Sequence, residues 1–338
     1  MYRRVILSVL ALVLGVGSLA DGATIVWVSD NKTPAAGVPA DQAWVDLLIA
    51  QGYTVDISFR NKEARTLDAT KVAALNAADL IIVSRDTDSG QYDDGTEIAQ
   101  WNGITTPILL QVGQIAQNIR WKWINIGTTA IAQPTMEAVL PTHPIFDGVP
   151  LGANNQVAVL TTNCTFVATT DVGNGTLIAK RADNSQPWIV EWAPGVEFYA
   201  GSVEKAGGKR LLFSGGGTSG VSDGTYNYND AGKKMFLNAI GYLLGIKPVA
   251  SDPGPAEGAV DVPRDPVLSW KPVLPSQKHD VYLGTSKDDV DAATVASPLN
   301  VLAGAGQDAN TFEPADLLEY GKTYYWRIDE VNTTPDAS

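Results

Sequence analysis

Apolar and polar positions follow two different patterns along the first two thirds of this chain. Between residues 24 and 245, short β-branched apolar runs alternate with segments whose apolar residues recur at helical spacing. The runs are typical of strands buried on both faces, and the spaced segments predict amphipathic helices. We therefore predict an α/β domain with a mostly parallel sheet. The predicted strands are 24–29, 53–59, 79–84, 107–112 and 209–214, and the predicted helices are 39–51, 68–77 and 230–244.

The middle of this domain, from about residue 155 to residue 200, has a different pattern. Short runs of alternating apolar and polar residues replace the helical spacing. Such alternation predicts antiparallel β-hairpins inserted into a sheet that we expect to be flavodoxin-like. The alternating runs are 156–160, 164–168, 175–180, 188–192 and 197–200.

A stretch rich in Pro, Gly and acidic residues then marks a domain boundary. No helical spacing appears beyond it, and the runs 267–270, 279–283 and 323–331 predict a small all-β sandwich of immunoglobulin type. The last run nearly reaches the final residue, so we expect an incomplete sandwich and a longer natural chain. The predicted divisions are a signal peptide (1–22), the α/β domain (23–247), a linker with the first strand region (248–262) and the sandwich (263–338).

The N-terminus predicts export from the cytoplasm. A basic start, Met-Tyr-Arg-Arg, precedes an apolar run from Val5 to Ala20 that ends in small residues, the pattern of a cleavable secretory signal. The alternative is a membrane anchor, which a run this short and interrupted by Gly15 and Gly17 favours less. We expect a secreted, cell-surface or periplasmic protein with no membrane span after cleavage.

Charge and cysteine content narrow the classes of partner. The formal net charge is -13, and an acidic surface argues against nucleic acid, whose phosphates need clustered Lys and Arg. The single cysteine, Cys164, excludes an intrachain disulfide, and its alternating surroundings predict a buried thiol. The two histidines, His143 and His279, lie in different predicted domains, so neither has a histidine partner for a metal site.

Four motifs carry a resemblance to a known superfamily. They are TIVWVSD (24–30), DLIIVSRD (79–86), HPIFDGV (143–149) and NYNDAGKKMFLNAIGYLLG (227–245). With them, the α/β domain resembles the class I glutamine-amidotransferase-like superfamily, in the branch that includes trehalose-utilisation-type domains of secreted bacterial proteins. The resemblance implies the flavodoxin-like sheet and a ligand site at its strand ends.

The same resemblance implies that the catalytic residues are missing. An active relative carries Gly-x-Cys-x-Gly on the turn after its fourth strand and a His late in the domain. Here the matching turn, Gln111–Ala116, holds neither Cys nor Ser, and Ser214–Ser219 holds no His. Because the thiolate is the nucleophile and imidazole takes its proton, we expect no amidotransferase activity and assign no catalytic residue.

Three motifs in the C-terminal part carry a second resemblance. They are GAVDVPRDPVLSW (258–270), HDVYLGTS (279–286) and GKTYYWRIDEVN (321–332). With them, residues 253–332 resemble a fibronectin-type-III-like module that is repeated in large secreted proteins of environmental bacteria. The resemblance implies a multidomain bacterial protein.

Polar residues follow the predicted parallel strands, at the edge where open α/β sheets bind ligands. Carboxylates, amides and two arginines there would suit sugar hydroxyls or another polar group. The alternative is that Arg85 and Asp86 pair with each other and only hold their loop. The candidate ligand-binding residues at this edge are Asp30, Asn31, Arg60, Arg85, Asp86 and Gln114, with Asp88 and Gln111 beside them.

Two further candidates come from spacing alone. Trp121 and Trp123 would share one face of a strand and could stack on sugar rings, or they could belong to the core. The acidic loop after residue 85 matches part of a calcium-loop spacing, although its glycine falls at the fifth position and the sixth is required. The alternative is a solvated acidic loop. The calcium candidates are Asp86, Asp88, Asp94 and Glu97, and no other cofactor is predicted.

We therefore expect a secreted or envelope-associated, non-catalytic binding or adhesion protein, with polysaccharide or a cell-envelope component as its partner. Polysaccharide is suggested by the family's occurrence in secreted multidomain proteins. One alternative is a glycan hydrolase or lyase that uses Asp30, Asp86 and Asp88 as acid and base. Another is a structural spacer that presents a C-terminal effector.

Overall fold

The computed structural model describes residues 10–12, 23–30, 37–61, 65–84, 87–93, 95–215, 224–246, 250–271 and 278–331. The chain forms two compact units, one of residues 20–245 and a smaller one of residues 246–338 together with residues 1–19. The first described strand, β1 (Leu10–Leu12), belongs to the smaller unit. None of the helices within these residues is long and apolar enough to cross a membrane.

The larger unit is a mixed α/β structure built on one nine-stranded sheet. In chain order the elements are β2 (Thr24–Val28), α1 (Gln42–Ala50), β3 (Thr54–Asp56), α2 (Ala69–Ala77), β4 (Leu80–Val83), α3 (Glu97–Gly103), β5 (Ile108–Leu110), β6 (Thr129–Ala132), β7 (Met136–Ala138), β8 (Gln156–Val157), β9 (Cys164–Val167), β10 (Thr176–Arg181), β11 (Pro187–Trp192), β12 (Arg210–Phe213) and α4 (Asp230–Leu243). In the sheet the strands lie in the order β3-β2-β4-β5-β12-β11-β10-β7-β8, and β6 pairs with β9 in a separate ribbon.

Five strands of this sheet, β3, β2, β4, β5 and β12, run parallel to one another. Both faces of the sheet are covered, which explains why these strands are apolar at almost every position. Trp44 of α1 and Phe236 of α4 pack with Trp27 on one face. Leu75 of α2 and Trp101 of α3 pack on the other. The predicted strands and the three predicted helices of this half are confirmed, but α3, between β4 and β5, was not predicted.

The helix ends follow the predicted capping chemistry in two places. The Asp68 side chain accepts a hydrogen bond from the Lys71 N–H (2.8 Å), which fixes the start of α2 as the sequence predicts. At the other end of the domain, α4 is followed by Gly245 with φ of 68°, a conformation that favours glycine.

The other half of the sheet is antiparallel. β11 pairs with β12 and with β10, and β7 and β8 extend the sheet beyond β10. The alternating runs were thus predicted correctly as antiparallel, with one exception. Residues 197–200 form no strand, because only an isolated bridge joins Glu197 to Lys205. The sequence did not predict α3, β6 or β7.

The smaller unit consists of two small sheets. One has the order β1-β18-β15-β16 and the other β13-β14-β17, and apolar residues including Trp270, Val281 and Trp326 fill its core. A short helix that the sequence did not predict, α5, starts where the Ser286 hydroxyl accepts from the Asp289 N–H (3.3 Å). The remaining elements are β13 (Ser251–Gly254), β14 (Leu268–Lys271), β15 (Lys278–Gly284), α5 (Lys287–Ala292), β16 (Leu302–Gln307), β17 (Thr311–Phe312) and β18 (Tyr324–Val331).

Candidate functional site

A row of polar residues stands just beyond the carboxyl ends of β2, β4 and β5. In the parallel register Val28 pairs with Val83, and Val83 pairs with Leu110, so the next residues, Ser29, Ser84 and Gln111, lie side by side. Each follows by two positions a residue packed against α1 and α4, which directs all three towards that face of the sheet. All three are fully buried. We call Ser29, Ser84 and Gln111 the strand-end row.

The carboxamide of Gln111 is the unusual member of this row. It is 0% exposed, yet neither its Nε2 nor its Oε1 has a hydrogen-bond partner among the residues that the structure describes. Leaving a buried polar group unpaired costs about 1–3 kcal/mol, so folded proteins rarely tolerate it without a reason. Neighbouring Ser214, at the end of β12, likewise has a buried hydroxyl without a partner. This edge of the sheet therefore holds unused hydrogen-bonding capacity.

The segment that leads into α4 packs beside the row. The Trp44 indole donates to the Gly224 carbonyl (2.9 Å), and the Tyr228 hydroxyl donates to the Ser214 carbonyl (3.0 Å). Glycine is required at position 215, because a Cβ there would lie 2.0 Å from the Tyr228 hydroxyl oxygen. Full burial raises the pKa of Tyr228 well above its ordinary value, so its hydroxyl stays protonated and keeps this bond.

Asp30, the candidate that follows β2, holds a loop. One carboxylate oxygen accepts from the Tyr92 hydroxyl (3.2 Å) and the other from the Asp88 N–H. Burial and the nearby Asp30 charge raise the pKa of Tyr92 well above its ordinary value, which keeps it a hydrogen-bond donor. The Asp30 carboxylate thus ties the loop after β4 to the end of β2.

Arg60 is committed to an internal ion pair. Its guanidinium pairs with the fully buried Asp41 and also donates to the Gln42 side chain (2.7 Å). The second Asp41 oxygen accepts from the Trp27 indole (2.6 Å). Arg60 therefore holds the segment after β3 to the start of α1. Because its charge is already matched by Asp41, the prediction that Arg60 offers a free cation to a ligand is wrong. The sequence analysis did not predict a role for Asp41, although it stands just before α1, a position where Asp commonly has a structural role.

The prediction of a tryptophan stacking platform is wrong. Trp121 and Trp123 are both 0% exposed. The Trp121 ring stacks on Trp101 (5.1 Å between centroids), and the Trp123 ring stacks on Phe198 (5.5 Å). Between them Lys122 has φ of 59°, so the segment is not a strand and the alternation argument does not apply to it. Both rings are stacked on other aromatic rings of the core, so they are already committed to internal packing.

The acidic loop is described only in part. Asp88 is exposed and caps a short 3-10 turn by accepting from the Gly90 N–H (3.3 Å). Glu97 is 3% exposed and accepts from the Thr66 hydroxyl (2.6 Å). Within the described ranges no three His, Cys, Asp or Glu side chains converge as metal ligands would. The calcium candidates Asp86 and Asp94, and the ligand candidates Asn31 and Arg85, lie outside the described residues.

Gln114, the last strand-end candidate, is partly buried, and its Oε1 has no hydrogen-bond partner. It therefore resembles Gln111 in carrying spare capacity at this edge. Cys164 is fully buried in β9, where its thiol lies 3.6 Å from the Thr165 carbonyl, as a buried thiol was predicted. A thiol without solvent access is not positioned as a nucleophile.

The two histidines both have structural partners. His143 accepts from the Ile145 N–H (3.3 Å), and its ring meets the edge of Tyr242 (4.7 Å between centroids). Burial and the Lys209 charge lower the pKa of His143 to about 4. In the smaller unit His279 is 2% exposed and lies 2.7 Å from the Glu330 carboxylate.

Comparison with known proteins leaves the chain at the level of its fold class. No protein-family model and no curated protein matches it. A solved structure of a cytoplasmic protein, STM3548 from Salmonella typhimurium, is similar with a TM-score of 0.40 and 11% identity, over 64% of this chain and 98% of that one. At this level nothing about that protein carries over. The class that stands is a mixed α/β protein with one large mixed sheet and separate small sheets.

Proposed function

We propose that the chain is a secreted or envelope-associated, non-catalytic binding protein whose α/β domain takes a neutral, hydroxyl-rich ligand at the strand-end row. The observation that carries the proposal is the buried, unpartnered carboxamide of Gln111. Its amide donates and its carbonyl accepts, and a sugar hydroxyl does both, so one such hydroxyl could satisfy either group. Polysaccharide is the ligand class we favour.

The charges near the row also favour a neutral ligand. Asp30 accepts from Tyr92 and from the loop after β4, and Arg60 and Asp41 neutralise each other. The groups left over at this edge are neutral, the Gln111 and Gln114 amides and the Ser214 hydroxyl. An anionic or cationic ligand would find no uncommitted counter-charge among these described side chains.

The position of the row supports a ligand site on general grounds. The parallel strands have the order second, first, third, fourth, fifth (β3-β2-β4-β5-β12), which is the flavodoxin-like order. Ligands of such sheets bind outside the carboxyl ends, where the strand order reverses. This order is also compatible with a degenerate amidotransferase-like domain, and sheets of four and three strands are compatible with a fibronectin-type-III-like sandwich.

The alternative of a glycan hydrolase or lyase is less well supported. A glycosidase needs two carboxyl groups that face the scissile bond from either side. Asp30 accepts hydrogen bonds from the loop after β4, and Asp88 caps a turn. A non-catalytic site needs no such pair, and the neutral strand-end groups fit it without further assumptions.

The proposal is tested by screening the full chain on an array of neutral polysaccharides, with and without calcium. We expect reproducible binding, and Gln111→Leu should weaken it at least about tenfold, since a carboxamide bonded to ligand contributes roughly 1.4 kcal/mol or more. The matched control is Gln156→Leu, a half-buried glutamine in the last strand of the same sheet.

Two results would contradict the proposal. One is the absence of binding to every polysaccharide, and the other is equal binding by the Gln111→Leu variant and the control. Release of reducing ends by the wild-type chain would support the hydrolase alternative instead. Thermal unfolding of each variant shows whether it is folded before its binding is compared.

A further inference from the structure

An open groove lies beside the strand-end row, between the first turns of α1 and α4. Its volume is about 320 Å³, near the lower end of the range of small-molecule pockets, about 300–1,000 Å³. Leu47 forms an apolar rim, and the polar residues Asn229, Asp230 and Lys233 line the opposite side. Tyr228 lines the groove and donates to the Ser214 carbonyl, and the next residue, Gly215, donates its N–H to the Gln111 carbonyl of the row (3.4 Å).

The half-buried ring of Tyr226 also lines this groove. Trp44 packs against it with 4.5 Å between the ring centroids, and Tyr228 lies 6.2 Å away, so its neighbours fix its orientation. The Tyr226 hydroxyl is buried and has no hydrogen-bond partner in the ranges that the structure describes. Burial and the nearby Asp230 charge raise the pKa of Tyr226 to about 12, so at neutral pH the hydroxyl carries its proton and can donate it.

We infer that this groove is a second saccharide subsite, and that the ligand is therefore a chain of sugars and not a single one. A fixed aromatic ring beside amide, carboxylate and ammonium groups presents an apolar surface and a polar edge, which are the two surfaces of a pyranose. The exposed Lys233 and Asp230 would bond to equatorial hydroxyls while the sugar face covers the Tyr226 ring. This inference rests on the proposed function, because it assigns a second contact to the same ligand.

The test is calorimetric titration of the full chain with xylan, mannan and β-glucan oligosaccharides, from monosaccharide to hexasaccharide. For the wild type we expect affinity to rise with chain length. Tyr226→Ala should weaken hexasaccharide binding about tenfold and flatten the dependence on length, since the stacking surface is lost. Because this variant also loses its Trp44 contact, Lys233→Ala, an exposed change, provides a second measurement with an expected loss of about threefold.

The control is Tyr320→Ala, an exposed tyrosine of the smaller unit that should leave every titration unchanged. The inference is overturned if Tyr226→Ala and Lys233→Ala bind the hexasaccharide like the wild type while Gln111→Leu does not, a result that leaves the proposed function intact. If the wild type binds none of the three oligosaccharide series, the proposed function fails, and the inference fails with it.

Discussion

The two ends of the parallel strands treat buried polar groups in opposite ways. At the amino end of β12 the fully buried Arg210 guanidinium donates to the carbonyls of Asn102 (2.9 Å), Thr106 (3.1 Å) and Ile104. These carbonyls lie in and just after the last turn of α3, which has no further internal donors for them and attracts a cation. At the carboxyl end the Gln111 carboxamide has no partner within the described part of the chain. The Arg210 Nη atoms are bonded internally and only its Nε has no partner among the described residues, whereas both polar atoms of the Gln111 carboxamide are unpaired there.

This contrast separates stability from recognition within one sheet. Burial lowers the pKa of Arg210 to about 9, but the side chain remains charged at neutral pH and its bonds persist. Changes at the amino edge should therefore affect folding, and changes in the neutral groups of the carboxyl edge should affect binding.

Two changes share the largest expected effect, and the first is Arg210→Met. The change removes the Arg210 donors from the Ile104 and Thr106 carbonyls, while the Asn102 carbonyl keeps its bond from the Gly207 N–H (2.8 Å), so the free energy of unfolding should fall by about 3 kcal/mol. Urea titration followed by circular dichroism measures this. Lys205→Met, an exposed change nearby, is the control and should cost about 0.5 kcal/mol or less. If the two variants were equally stable, Arg210 would not stabilise the amino edge, and the proposed difference between the two edges would not hold.

The next effect tests whether the charged groups of the carboxyl edge are structural. Asp41→Asn leaves the buried Arg60 guanidinium without its counter-charge, so we expect a loss of about 3 kcal/mol. The control on the same helix is Asp46→Asn, an exposed carboxylate bonded to the Gln42 side chain, with an expected loss of about 0.5 kcal/mol. If the two variants unfold at the same urea concentration, the ion pair does not hold this edge together.

A third effect depends on pH and lies near the amino edge, where the Lys209 ammonium sits over the Tyr242 ring that His143 touches. The folded-state pKa of His143 is about 4, below its ordinary value of 6.5. Above pH 6.5 the imidazole is neutral in both states. As pH falls from 6.5 towards 4 the unfolded chain takes up the proton first, so this residue should cost about 2 kcal/mol of stability. His143→Gln should lose less stability than the wild type between pH 7 and pH 4.5, and identical pH profiles would contradict this.

The smallest effect on stability is expected from Gln111→Leu, although it is the change with the largest expected effect on binding. Replacing an unpaired buried carboxamide by an apolar group of similar size should leave the free energy of unfolding unchanged or raise it by about 1 kcal/mol. The same urea titration measures it without ligand. A loss above about 2 kcal/mol would mean that Gln111 supports the fold and that the two edges do not differ in kind.

Much of the larger unit could be predicted from sequence because local chemistry decides it. The apolar runs of β2 and β4 and the Asp68 cap of α2 each depend only on residues within a few positions along the chain. The seven-residue α3 contains Asn102 and Gly103, both weak helix formers, so its local sequence did not predict a helix.

The candidate site was harder to predict, because the role of each residue depends on which groups it contacts in the folded chain. Gln111 could be assigned to a strand end, but that its carboxamide has no partner depends on residues far away in sequence. The Arg60–Asp41 bond joins positions 19 residues apart, and only folding reveals it. The prediction of a tryptophan platform assumed a strand, but the backbone angle φ of Lys122 is not that of a strand. Residue spacing alone does not reveal this angle.

The pairing of β1 with β18 connects the proposed export step with the fold of the smaller unit. Leu10–Leu12 lies beside Tyr324–Trp326 as an edge strand of the smaller unit, and the same residues fall in the segment predicted to be cleaved. A signal peptidase that removed this segment would also take away an edge strand and expose backbone groups that can template another strand. The newly made chain and the matured chain would then present different surfaces, and the order of cleavage and folding would determine which neighbours the exposed edge meets first.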